Sequence, residues 1–366
     1  MTPLFELMAR RIRSSGPMPL AEYMRLALTH PEHGYYTTGD PLGAPSDSGG
    51  DFITAPEVSQ MFGELLGLWC ADTWRFLGQP KPVKLIELGP GRGTLMADAL
   101  RAVKIVPDFA ENLEIHLVEI SPSLRRQQEA ALAGHSVTWH EELSSVPEGP
   151  FLLLANEVFD ALPLRQFART ESGWRERLVG LSEGEDALVF AAGPETPANT
   201  LLIPEACRDF PPGAVVEFCP DGELLAKDIG ARVAAGPGAA LIVDYGYDAP
   251  EGKPSLQALR RHERHDPLAD PGDADLTAHV DFSTLRRGLE AGGAAVHGPM
   301  PQGRFLTALG LGHRAAALAR NATDGQRRDI ESAVERLTAE GQMGTLFKAL
   351  AALPPESLPP AGFLSD

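Results

Sequence analysis

The stretch Lys84-Leu85-Ile86-Glu87-Leu88-Gly89-Pro90-Gly91-Arg92-Gly93-Thr94-Leu95 constrains this chain more than any other. A short apolar run enters a glycine loop, and a helical pattern follows. That is the opening strand-to-helix turn of a doubly wound α/β sheet, where backbone amides gather around a polar ligand. A dinucleotide fingerprint would place its third small residue at 94. Position 94 is Thr, and the third glycine falls one step early at Gly93. The carboxylate of Glu87 just before the loop would repel a pyrophosphate, but suits a ligand with an amino group and a sulfonium. S-adenosylmethionine has both, and its carboxylate is a group that loop amides can take. The alternative is a turn whose glycines serve tightness alone. The strand before and the helix after weigh toward the ligand.

An alternation of strands and helices surrounds this loop. Strands are expected at 84–88, 114–118, 136–140, 150–155 and 239–244, with helices at 94–104 and 122–133. Such alternation implies a parallel sheet with right-handed crossovers. Helical spacing of Leu4, Leu7, Met8 and Ile12, and of Met61, Leu65, Leu68, Trp69 and Phe76, marks a helical segment over 1–80. Within it, Thr37 to Gly50 reads as a polar glycine-rich loop. Short antiparallel strands are expected within 164–192, inside an inserted subdomain spanning 164–237. The Rossmann-like core then comprises 81–163 and 238–366, with an irregular segment at 245–280, helices at 282–291, 301–319 and 324–339, and a last strand within 346–353.

Ligands of open α/β sheets lie outside the carboxyl ends of the strands. The second strand ends at Glu119, where a carboxylate can accept from both ribose hydroxyls; a solvated strand end is the alternative. The third ends at His140-Glu141-Glu142, an adenine edge or a charged turn. The fourth ends in Asn156-Glu157-Val158-Phe159-Asp160. Methyl transfer is an in-line displacement, for which the protein must position the acceptor and keep its lone pair free. For an amine or guanidinium, Glu157 and Asp160 would orient the cation and draw off its proton. The alternative is a helix start decorated with acids. His262-Glu263-Arg264-His265 is one residue short of a zinc-protease helix motif, and no metal is expected.

The chain has 366 residues and a formal net charge of −18. No basic run offers phosphates a footing, so nucleic acid is an unsuitable partner. Three cysteines, Cys70, Cys207 and Cys219, fit a reducing compartment. The N-terminal segment has no apolar h-region, and no run approaches the roughly 20 residues of a membrane span. A cytoplasmic protein is expected.

Six blocks in order resemble the MidA-like S-adenosylmethionine-dependent methyltransferases. They are His30-Pro31-Glu32-His33-Gly34-Tyr35-Tyr36; Gly50-Asp51-Phe52-Ile53-Thr54-Ala55-Pro56-Glu57 with Phe62-Gly63-Glu64-Leu65-Leu66; Glu87 to Gly93; Asn156 to Pro163; Asp270-Pro271-Gly272 with Asp275 to Phe282; and Gln302-Gly303-Arg304-Phe305-Leu306. The resemblance covers nearly the whole chain. It implies a class I methyltransferase fold with an N-terminal helical segment, a β insertion after strand four and C-terminal helices. It implies cofactor contacts at Gly89, Gly91, Gly93 and Glu119, with the Asp51 segment and Asp275 to Asp281 bordering the site; from their places at the strand ends, Glu87 and Asn156 join the cofactor set with Asp51, and Glu157 and Asp160 are the catalytic candidates. Mitochondrial members of that family are complex I assembly factors that methylate an arginine of a complex I subunit, so the resemblance implies a protein substrate. The large portion outside the core leaves a second reading: an assembly module that keeps the fold and catalyses little.

Overall fold

The computed structural model describes residues 2–38, 54–260 and 263–364. The chain partitions into two compact units. One comprises Met1–Phe52, Phe159–Glu223 and Tyr247–Asp281; the other comprises Ile53–Val158, Leu224–Gly246 and Phe282–Asp366.

The second unit carries the glycine loop. Its strands are β1 (Val83–Leu88), β2 (Leu113–Val118), β3 (Val137–His140), β4 (Phe151–Asn156), β5 (Gly238–Tyr247), β6 (Ala295–Pro301) and β7 (Phe347–Leu353). They lie in the order β3-β2-β1-β4-β5-β7-β6. The first five are mutually parallel, and β7 runs antiparallel to both β5 and β6. Strands β1 and β4 are buried at every position, as strands covered on both faces are; β4 is apolar up to Asn156, while β1 also buries Lys84 and Glu87. Connections leave toward β2 on one side of β1 and toward β5 on the other side of β4. The point where a doubly wound sheet opens a crevice is therefore between β1 and β4.

Helix Gln60–Phe76 packs closely on helix Thr94–Ala102 because two of its positions lack a side chain. A Cβ on Gly63 would lie 2.7 Å from Asp98 Cβ, and one on Gly67 would lie 2.7 Å from Ala99 Cα. The same helix buries Glu64, which accepts from Arg101 at 3.1 Å and from Arg314 at 2.6 Å.

Strand β6 was not expected. Gly298, Pro299 and Pro301 interrupt its pattern, and its register against β7 shifts between His297 and Met300. Bulges and prolines of this kind belong to sheet edges. The expected helix over 301–319 is two helices, Gln302–Ala308 and Leu311–Ala319, parted at Gly310 with φ +94°.

In the first unit, helices Pro3–Ser15 and Leu20–Thr29 bury Leu4, Met8, Tyr23 and Met24 in a core shared with Val179 and Leu276. Strands Arg165–Arg169, Trp174–Leu181, Leu188–Glu195 and Val215–Phe218 form an antiparallel sheet with Met18–Pro19. Gln166 sits opposite Arg177 on one neighbour and opposite Glu217 on the other. It accepts from Arg177 Nη1 at 2.7 Å and donates to Glu217 Oε1 at 2.6 Å. The segment read as irregular contains a three-stranded sheet of Gln257–Arg260, Glu263–His265 and Asp275–Thr277. Strands of three or four mostly polar residues leave no apolar alternation to detect. The loop expected from Thr37 to Gly50, beyond Thr38, and residue His262 lie outside the described residues.

Candidate active site

The glycine loop joins β1 to helix Thr94–Ala102. Gly89, Gly91 and Gly93 have φ of +57°, +53° and +83°, a region costly for residues with a Cβ. Space is also short, since a Cβ on Gly89 would lie 3.0 Å from Val158 Cγ2. Gly93 occupies the cap position of the helix without a side-chain cap, so the first amides of the helix receive no side-chain acceptor there. Glu57, from the short helix Ala55–Val58, braces this turn. It accepts from Thr94 Oγ1 at 2.6 Å and pairs with Arg92 Nη1 at 3.5 Å.

Sheet register explains how the acidic candidates meet. Glu87 on β1 lies opposite Leu117 on β2 and Leu154 on β4. Side chains paired across parallel strands share a face, and the face recurs every second residue. Glu119 stands two residues past Leu117, and Asn156 two residues past Leu154. Glu87, Glu119 and Asn156 therefore fall on one face near the carboxyl ends of three adjacent strands.

Their electrostatics are unusual for a protein interior. Glu87 is 2% exposed, and its Oε2 has no hydrogen-bond partner among the described residues. Burial, and then the charge of Glu119, pushes its carboxyl up to about 8. Burial also raises the Glu119 carboxyl, against hydrogen bonds that favour its charged form. Glu119 Oε1 accepts from Ser121 N at 2.7 Å, and its Oε2 accepts from Gln128 Nε2 at 3.1 Å. Nothing in the sequence pattern singled out Gln128, which is one of several polar residues on a helix.

The turn after β4 is equally specific. Glu157 has φ +52°, and its amide donates to Val243 O at 2.9 Å. Its Oε1 accepts from Ala55 N and from Asn156 Nδ2, each at 3.1 Å. That bond fixes the Asn156 amide, whose Oδ1 is left buried without a partner among the described residues. Asp244, fully buried on β5 and absent from the sequence-based candidates, accepts from Val158 N at 3.1 Å and Tyr245 N at 2.8 Å.

Asp160 belongs to the other unit. It is buried, and its carbonyl accepts from Ala278 N at 2.9 Å. In that unit Tyr36 donates its hydroxyl to Asp275 Oδ1 at 2.8 Å. Burial, then the charges of Asp275 and Asp160, hold the Tyr36 hydroxyl well above its ordinary range. Asp51 lies outside the described residues.

The strand-end set is one of acceptors. Two buried oxygens, Glu87 Oε2 and Asn156 Oδ1, lack donors that a ligand would have to bring. A ligand with amino and hydroxyl donors and positive charge fits that chemistry. A pyrophosphate brings acceptors only and would leave both oxygens without donors.

Sheet order, glycine turn and acidic strand ends together define a class I methyltransferase fold. A profile of the family described as "Putative S-adenosyl-L-methionine-dependent methyltransferase" matches residues 65–300, and the chain belongs to this family. The mitochondrial protein arginine methyltransferase NDUFAF7 of Mus musculus is 38% identical over 98% of this chain and 86% of its own length. The Homo sapiens counterpart is 37% identical over 98% and 85%. A crystal structure from Burkholderia thailandensis bound to S-adenosyl-homocysteine superposes with a TM-score of 0.83. It is 31% identical, and the match covers 99% of this chain and 92% of that one. Among the described residues, no helix is long and apolar enough to cross a membrane.

Proposed function

We propose that this methyltransferase acts on an arginine side chain of a protein. The observation that carries the cofactor side is the shared face of Glu87, Glu119 and Asn156, with its two bare acceptor oxygens. When bound, S-adenosylmethionine supplies a methyl on a sulfonium sulfur, which becomes a neutral thioether as nitrogen takes the methyl. Gly91 presents its backbone amide to the carboxylate of its methionyl group, while the Gly89 and Gly93 amides donate to Val118 O at 3.0 Å and Pro90 O at 2.8 Å and hold the turn in shape. Glu87 faces the ammonium, Glu119 the ribose hydroxyls, and Asn156 Oδ1 accepts one further N–H. By family resemblance the proposal adds Asp51, which lies outside the described residues.

Glu157 and Asp160 act on the acceptor. A guanidinium carries its charge over three nitrogens and must lose a proton for one of them to form a bond to carbon. Two carboxylates can orient it through charge-assisted hydrogen bonds and receive that proton. The mouse and human relatives are protein arginine methyltransferases, which supports arginine in a protein as the acceptor. Family resemblance extends the proposal to a respiratory complex I subunit and to work in the bacterial cytoplasm.

Incubation with methyl-labelled cofactor and a membrane extract containing complex I tests this reading. Label is expected in one polypeptide and, after hydrolysis, in methylarginine. Label in a small metabolite overturns the protein acceptor. Failure to bind S-adenosyl-homocysteine overturns the cofactor subsite.

A further inference from the structure

We propose that Gln128 is a positioning residue for the cofactor subsite, locking the Glu119 carboxylate to the glycine loop so that the ribose meets an acceptor already in place. The inference rests on the assignment of Glu119 to the ribose made above.

Gln128 is fully buried on helix Pro122–Ala131. Its Nε2 donates to Gly91 O at 2.7 Å and to Glu119 Oε2 at 3.1 Å. Its Oε1 accepts from Trp139 Nε1 at 2.9 Å. This arrangement leaves no freedom in the amide. Only the NH2 can serve a carbonyl and a carboxylate, and only the oxygen can serve an indole N–H, so a flip would break all three bonds. One side chain thus ties the middle glycine of the loop after β1 to the carboxylate after β2, with Trp139 of β3 as its anchor.

The consequence for Glu119 is specific. Ser121 N donates to one carboxylate oxygen and Gln128 Nε2 to the other, and the Ile120 amide also favours the charged form. A carboxylate accepts about four hydrogen bonds, so both oxygens keep capacity for a pair of neighbouring hydroxyls. A side chain held at both oxygens does not need to give up rotamer freedom when the ligand arrives, and this raises affinity. The loop is held as well. A Cβ on Gly93 would lie 3.4 Å from Gln128 Cα, so the helix sits directly against the turn. Displacing Gln128 would release the Glu119 acceptor first, since the turn keeps its own bonds from Gly89 N to Val118 O at 3.0 Å and from Gly93 N to Pro90 O at 2.8 Å. That separates a positioning role from simple packing, because a packing residue has no reason to favour ligands with ribose hydroxyls.

The test uses the full chain, S-adenosyl-homocysteine and its 2′-deoxy analogue, with affinities from titration calorimetry. The wild type is expected to prefer the ribose ligand. Gln128→Met keeps the volume and removes all three bonds; about tenfold of S-adenosyl-homocysteine affinity should be lost and little of the analogue's. Gln128→Glu sets a second carboxylate against Glu119. Its loss relative to wild type should narrow as pH falls and the pair takes up a shared proton. Equal losses for both ligands in Gln128→Met would make the residue structural and overturn the proposal. A wild type that binds neither ligand, or does not distinguish them, would instead overturn the ribose assignment of Glu119. Should Gln128→Met fail to fold, Trp139→Phe keeps an aromatic ring, loses the anchoring N–H together with part of the indole, and should erode the preference about threefold.

Discussion

Two buried glutamates, one in each unit, show opposite solutions to the same problem. Glu217, on a strand of the first unit, is 8% exposed and surrounded by donors. Gln166 Nε2 reaches it at 2.6 Å, Ser255 N at 3.0 and 3.1 Å, and Leu256 N at 3.2 Å, with the Ser255 hydroxyl as well. The Ser255 hydroxyl in turn accepts from His279 N at 2.8 Å. Glu87, in the second unit, is more deeply buried, and one of its oxygens has no donor among the described residues. A buried charge costs several kcal/mol unless it is paired and hydrogen-bonded. Glu217 offsets that cost within its own unit and pins a loop. Glu87 avoids it by holding its proton up to about 8, and keeps an oxygen that a donor from solution could meet. Burial alone does not separate the two carboxylates; their hydrogen-bond partners do.

The contrast can be broken at four places. The largest effect is expected from replacing Glu157 and Asp160 together by Ala. Turnover should fall roughly 10³-fold, the scale of lost acid–base help. S-adenosyl-homocysteine affinity should stay within a few fold. If methylation persists, the catalytic assignment fails. If turnover vanishes but the cellular role survives, the assembly-module reading accounts for that role.

Next is Glu217→Ala, which strands the donors around it. Unfolding free energy should drop by about 3 kcal/mol, read by chemical denaturation. A loss below about 1 kcal/mol would remove the claim that this carboxylate is structural.

Glu87 gives a pH signature. Folded, it keeps its proton up to about 8; its ordinary value is 4.5. The folded state therefore binds more protons between those values. The stability this group adds is complete below 4.5 and is lost as pH rises through 8. A cationic ligand needs the ionised form, so its binding should release a proton and weaken by up to about tenfold per pH unit below 8. Calorimetry in buffers of different ionisation enthalpy reads the proton. Glu87→Gln should flatten both dependences, and an unchanged slope in that variant would exclude Glu87 as their source.

The smallest effect is expected from Gly89→Ala. Its φ of +57° and the 3.0 Å approach to Val158 Cγ2 predict a loss of about 1–2 kcal/mol. A melting temperature equal to wild type would show that the turn relaxes.

Much of the core was legible because its strands are short, largely apolar runs bounded by turn residues and separated by helical patterns. The expected 84–88, 114–118 and 150–155 correspond to Val83–Leu88, Leu113–Val118 and Phe151–Asn156. Ala295–Pro301 was not legible, since its prolines and bulge mimic a loop. The site was legible where chemistry sits next to a strand end. Glu87, Glu119 and Asn156 could be proposed from position alone. Gln128, Asp244 and Glu57 could not, because what distinguishes them is a bond to something distant in sequence: Gln128 to Gly91, Asp244 to Val158, Glu57 to Thr94. Sequence spacing reports neighbours along an element, and these side chains act across elements.

Strand β7 lies between β5 and β6, pairing with both. Until residue 353 has left the ribosome, the flank of Gly238–Tyr247 that will receive it offers a row of unpaired N–H and C=O groups along the apolar run Ala240-Leu241-Ile242-Val243 to any other nascent chain. Cotranslational capture by a chaperone at that flank, or a pause in synthesis after residue 247, would bear directly on the yield of active protein.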